Sequence, residues 1–67
     1  MDTVEVRKIL GLTQDQMRKI CNTSIGTITK WDQKQREPRG QAIRLLEVMV
    51  EAHQNGDFDK YFGKYLK

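Results

Sequence analysis

The stretch Thr13–Gly40, TQDQMRKICNTSIGTITKWDQKQREPRG, decides how the rest of the chain reads. Thr13 followed three residues later by Gln16 has the form of a capping box, which satisfies two free backbone donors at a helix start. Leu12 before the cap and Met17 at the fourth helical position can form a hydrophobic staple. Met17, Ile20 and Cys21 then make a buried stripe. The chain breaks at Asn22-Thr23, since Asn tolerates the left-handed conformation better than most residues. Ser24 caps a third helix that is predicted to run to about Lys34, with Ile28 and Trp31 facing inward. Gly26 and the β-branched Thr27, Ile28 and Thr29 all lower helix propensity. That surface is not one that helix stability alone would select.

Working outward, the first helix is predicted over Thr3–Leu10, with Val6, Ile9 and Leu10 on one face. Gly11 stops it, because glycine takes the left-handed conformation at little cost. After the third helix, 35–40 (QREPRG) reads as a turn around Pro38, the one proline. A fourth helix is predicted over Gln41–Gln54. Ile43, Leu45, Leu46, Val48, Met49 and Val50 make it apolar over more than one face, which implies burial on two sides. Asn55-Gly56 breaks the chain again. Asp57 can cap a fifth helix in which Phe58, Tyr61, Phe62, Tyr65 and Leu66 follow the i, i+3, i+4, i+7, i+8 pattern. Gly63 weakens that helix by about 1 kcal/mol. Strand-like alternation is absent over any useful length. The expected fold is therefore all-α: a compact five-helix domain, one unit over 1–67.

A chain of 67 residues has room for a single small core. One cysteine forbids an internal disulfide, and Cys21 with His53 cannot make a structural zinc site. No metal or other cofactor is expected. His53 reads as exposed, and Cys21 as a small core residue with no neighbouring base to activate it. No apolar run approaches the ~18 residues of a membrane helix, and MDTVEVRK lacks the order of a signal peptide. A cytoplasmic protein with no membrane contact is expected. Paired carboxylates, a nucleophile with its base and a phosphate-binding loop are all missing, which argues against an enzyme. The 12 basic and 9 acidic residues give a net charge of +3. Their distribution says more than their sum. Lys30, Lys34, Arg36, Arg39 and Arg44 cluster in the middle, against only Asp32 and Glu37, so the middle is the candidate electropositive face.

Two short helices with a tight turn between them, the second starting at a Ser cap and carrying a buried Trp, have the form of a helix-turn-helix, here 13–34. In that motif the second helix enters the DNA major groove, so residues at its start must be short or polar. Ser24, Gly26, Thr27, Thr29 and Lys30 meet that requirement. The span of about residues 9 to 50 resembles the Xre/Cro-like helix-turn-helix family of phage and bacterial repressors. It is especially similar to the branch with a W-E-x-G-x-x-x-P-x-G pattern, here W-D-Q-K-Q-R-E-P-R-G, which includes DNA-binding parts of some antitoxins.

The resemblance implies a lambda-repressor-like fold and sequence-specific binding of double-stranded DNA. It implies that Ile25, Gly26, Thr29 and Lys30 meet bases, Lys30 by donating to guanine and Ile25 by packing on a thymine methyl. Ile25 also reads as a core edge. Gln14, Ser24, Thr27, Lys34, Arg36 and Arg39 would contact the DNA backbone. Four positions depart from the family pattern. Arg18 stands where a small residue is usual, so either it reaches outward or the crossing of the two helices differs. Asn22 stands at the usual turn glycine. Lys34 stands at the usual glycine after the Trp, which predicts a longer helix there. Asp32 replaces Glu.

The family's operators are palindromic, so a homodimer is expected, its two copies one DNA turn (~34 Å) apart. The segment 41–67 would form the seam through Val48, Met49, Tyr61, Phe62 and Tyr65. No effector domain or small-molecule pocket is expected in so short a chain. Repression would then be steric, by covering a promoter, and autoregulation of the protein's own operon is the simplest case. Small phage and mobile-element regulators, including anti-CRISPR-associated ones, are of similar size. The other expectation is an antitoxin, whose main duty is to hold a toxin.

Overall fold

The computed structural model describes residues 2–66. Its elements run α1 (Thr3–Leu10), α2 (Gln14–Cys21), α3 (Ile25–Asp32), α4 (Gln41–Gln54), α5 (Phe58–Phe62) and a 3₁₀ turn (Gly63–Tyr65), with no strand among the described residues. The fold is therefore all-α, with five helices in one globule. None of these helices is long and apolar enough to cross a membrane.

The helix starts follow the local chemistry. Thr13 Oγ1 accepts from the Gln16 backbone N–H at 3.1 Å, and Gln16 Oε1 accepts from the Thr13 N–H at 2.9 Å, completing the capping box. Ser24 Oγ accepts from the Thr27 N–H at 3.1 Å. Asp2 caps α1, its Oδ1 accepting from the Val4 N–H at 3.0 Å. Asp57 does not cap α5. Its backbone lies at φ −104°, ψ 4°, away from the extended region a capping side chain needs, and it makes no such bond.

The first four helices share one backbone clasp at their stops. After α1, Gly11 N–H donates to Lys8 and Leu12 N–H to Arg7. After α2, Asn22 donates to Lys19 and Thr23 to Arg18; after α3, Lys34 donates to Trp31 and Gln35 to Lys30; after α4, Gly56 donates to His53 and Asp57 to Ala52. Each is the paired arrangement that satisfies terminal carbonyls around one left-handed residue. Those residues are Gly11 (φ 68°), Asn22 (φ 53°), Lys34 (φ 61°) and Gly56 (φ 77°). Lys34 corrects the expectation of a longer third helix. The helix ends at Asp32, and the lysine adopts the glycine-like conformation at a cost of about 1–2 kcal/mol.

The core draws on every helix. Val6, Leu12, Met17, Ile20, Ile28 and Trp31 pack with Leu46, Met49, Ala52 and Phe58, and Met17, Ile28, Leu46 and Met49 are closed to solvent. Three apolar expectations are corrected. Ile9 is 49% exposed, because the inward stripe of α1 is Thr3, Val6 and Leu10. On α4, Val48 and Ile43 stay exposed, so only one side of that helix is buried. The fifth helix stops after Phe62 and tightens into the 3₁₀ turn at Gly63, which leaves Tyr61 58% exposed while Phe62, Tyr65 and Leu66 pack at the edge of the core.

Met49 at 0% exposure cannot belong to a dimer seam, which corrects that assignment; Val48 beside it is free. Met49→Ala is expected to cost about 2–5 kcal/mol of stability, and Val48→Ala less than about 1 kcal/mol, in urea denaturation. Equal losses would contradict the inward placement of Met49. Burial pushes the Cys21 thiol up from its ordinary 9.0 to about 11. The native state therefore holds this proton more tightly than the unfolded chain, and the associated stability is lost as pH rises between these two values. Alkylation of Cys21 at pH 8 should be much slower in the native protein than in urea; equal rates would mean an open thiol.

Candidate nucleic-acid interface

A single carboxylate holds the first three helices together. Asp32, the last residue of α3, has one oxygen 2.9 Å from Arg7 Nη2 of α1 and 2.7 Å from Gln14 Nε2 of α2, both as acceptor. Its other oxygen accepts from Thr3 Oγ1 of α1 at 3.5 Å. The Asp32 side chain is 11% exposed, so these charge-assisted bonds form where water competes poorly. Arg7 Nε is buried without a partner among the described residues.

The outer surface of α3 is sparse by contrast. Ile25 is 45% exposed, so the core does not claim it, and Gly26 is bare. A Cβ built on Gly26 would meet nothing closer than Ser24 Oγ at 3.8 Å, an ordinary contact. Packing within the chain therefore does not require glycine there, although glycine weakens a helix. Lys30 is exposed on the same helix. The hydroxyls are already engaged: Thr29 Oγ1 donates to the Ile25 carbonyl at 2.9 Å, and Ser24 Oγ and Thr27 Oγ1 share a bond at 3.0 Å. Thr29 spends its donor within the helix, whereas Ser24 and Thr27 share a single bond, so one of those two hydroxyls keeps its O–H for another acceptor.

The loop after α3 carries the cations. Trp31 and Pro38 are both buried and line one cleft with Arg36 and Arg39, whose side chains are exposed. The indole and the proline thus anchor the segment that displays the guanidinium groups. Lys34 is exposed, with Nζ 3.9 Å from Asp2 Oδ2. The chain joins these residues on α3 and the following loop, while Gln14 sits at the start of α2, held by Asp32. Arg18 points away from the core: its Nε donates to Asp15 Oδ1 at 2.7 Å. Those bonds, with Lys19 3.3 Å from the other oxygen, hold the Asp15 carboxyl below its ordinary range.

Arg7 was invisible to the sequence reading. Its partner lies 25 positions away, and no local pattern signals it. The Asp2 cap was findable: an aspartate before a helical run is a capping signal. Of the seam residues, Val48 and Tyr61 are exposed, Phe62 and Tyr65 half-buried, and Met49 enclosed. Comparison with known proteins gives no match among family models, curated proteins or solved structures.

Asp32→Ala is expected to cost about 3 kcal/mol, because it leaves Arg7 and Gln14 without their acceptor. In an Arg7→Leu background the same substitution should cost clearly less. Additive losses in denaturant titrations would deny that the two side chains are coupled.

Proposed function

We propose that this chain is a sequence-specific double-stranded DNA-binding transcriptional repressor with an Xre/Cro-like, lambda-repressor-like helix-turn-helix. It reads a palindromic operator as a homodimer and represses by excluding RNA polymerase. The observation that carries this reading is the bare face of α3: Gly26, whose missing side chain no internal contact demands, between the exposed Ile25 and Lys30. A helix that forgoes propensity on its outer face suits close approach to another surface, and the major groove admits one helix.

On this reading Ile25, Gly26 and Lys30 meet base edges, with Thr29 beside them. Ser24, Thr27, Lys34, Arg36 and Arg39 meet phosphates. Gln14 offers a phosphate its second amide N–H, the other being held by Asp32. Dimerisation uses the exposed apolar Val48 and Tyr61, with Phe62 and Tyr65 at the margin. The protein acts on DNA in the bacterial cytoplasm, and control of its own operon is the simplest arrangement. Footprinting of the DNA upstream of its gene tests this directly. No protected site there or elsewhere in a genomic selection would end the proposal, and light scattering that shows a monomer both free and on the operator would remove the dimer.

Gly26→Ala should raise fold stability by about 0.5–1 kcal/mol through helix propensity, yet weaken operator binding. Unchanged affinity would mean that no surface approaches closely there. Lys30→Ala should cost about 1–3 kcal/mol of binding and relax base preference. An equal loss on all sequences would reassign Lys30 to a phosphate. Arg36→Ala should weaken binding uniformly and reduce the salt slope by about one; an intact slope would contradict a backbone contact.

A further inference from the structure

The α1/α4 groove carries a surface that DNA binding does not use. It is an open trough of about 620 Å³ with Val6, Ile9 and Val50 among its lining residues. Ile9 is half-exposed and Val50 half-buried, so these two present apolar carbon to solvent above the buried Val6. Ile43, exposed, continues the same stripe of α4 at i, i+4, i+7 spacing with Glu47 and Val50.

The rim is acidic. Asp2, Glu5, Glu47 and Glu51 line the groove, and no lysine, arginine or histidine does. Asp2 faces Lys34 at one end, whereas Glu5, Glu47 and Glu51 have no cationic partner within 4 Å among the described residues. This arrangement is not what α4 would select for its own stability. Glu47 and Glu51 are like charges one turn apart, and Glu51 sits in the last turn, at the negative end of the helix dipole. A protein whose net charge is +3 thus gathers four of its nine acids around one groove in which Ile9 and Val50 stay partly open.

We infer that the α1/α4 groove docks a basic amphipathic helix of a partner protein, apolar residues on its floor and lysine or arginine against its carboxylates. Charge complementarity selects this occupant over a second copy, whose matching groove would bring carboxylate against carboxylate. Apolar anchors at i, i+3, i+4 and i+7 are the usual form of a helix laid in such a trough. Val48 lies about 160° around α4 from Val50 at ~100° per residue, so the groove stays open when the Val48 side is covered. This inference is independent of the DNA-binding reading and is tested without DNA.

The probe is a synthetic helix of roughly 14 residues with leucines at those spacings and flanking lysines. It is titrated into the isotope-labelled full chain and followed by amide chemical shifts. Shifts concentrated on Glu5, Ile9, Glu47, Val50 and Glu51 are expected, with affinity falling as salt rises. Ile9→Ser, at a half-exposed position the fold does not depend on, should weaken binding about tenfold, and Glu47→Lys by a similar factor. A peptide with the same lysines but serines for leucines should bind at least about tenfold more weakly. Equal binding of the serine peptide would reduce the effect to a general field and overturn the proposal. So would shifts centred on α3 or α5, an affinity unmoved by Ile9→Ser, or loss of a dimer in that variant, which would make the occupant a second copy.

Discussion

The structure depends on the carboxylate of Asp32. Three helices of eight residues are too short to stand alone, since isolated helices of this length are marginal in water. Apolar packing draws them together but is non-directional. Asp32 supplies direction, because its acceptors must meet a guanidinium from α1 and an amide from α2 at fixed distances. It is also the residue after Trp31, whose indole lies in the core. One end of α3 is thereby fixed by adjacent residues: apolar packing through the indole and polar bonding through the carboxylate. The opposite end is set by the Ser24 cap. Between these anchors Ile25, Gly26 and Lys30 are not claimed by the core, and that is the face offered to DNA in the proposed reading.

The legible part of the fold was the local part. Thr13 with Gln16, Ser24, Gly11 and Asn55-Gly56 each act within a few residues, and each marks a real boundary. The bounds of α4 followed from apolar spacing for the same reason. What failed depended on three-dimensional context. Ile9 has the same apolar character as Val6, but only the packing of α1 against α3 and α4 decides which of them turns inward. Met49 and Val48 are adjacent and apolar, but Met49 shares a helical row with Leu45, Leu46 and Ala52 whereas Val48 lies between Arg44 and Glu51, and only packing turns the first row inward. At Lys34 backbone demand overrides residue preference: the clasp needs a left-handed residue there and takes a lysine.

The candidate site was less legible than the helices that carry it. The exposure of Ile25, Gly26, Lys30, Arg36 and Arg39 follows from their place on the outer face and the loop. The engagement of Thr29, Ser24 and Thr27 hydroxyls within the chain does not, and it alters what these residues can offer a phosphate. Gln14 shows the same effect more strongly. Its amide is oriented from within the protein before any ligand arrives, so less ordering remains to be done on contact. The acidic groove has no local signal, because its carboxylates lie far apart in the sequence and meet only when α1 lies on α4.

The repeated clasp has a consequence for how this chain can change. α1, α2 and α3 have the same length, and each ends in the same two hydrogen bonds around one left-handed residue. The clasp tolerates glycine, asparagine and even lysine at its centre, so side-chain identity there is negotiable. Length is not. One inserted residue within α2 would turn everything after it by about 100° and carry Ile20 out of the core while the clasp re-formed one step late. The fold of such a protein accepts substitution, on the outer face of α3 above all, but is nearly closed to insertion or deletion between Thr3 and Asp32. Variation in spacing would be confined to the segment around Pro38 and to the chain beyond α4.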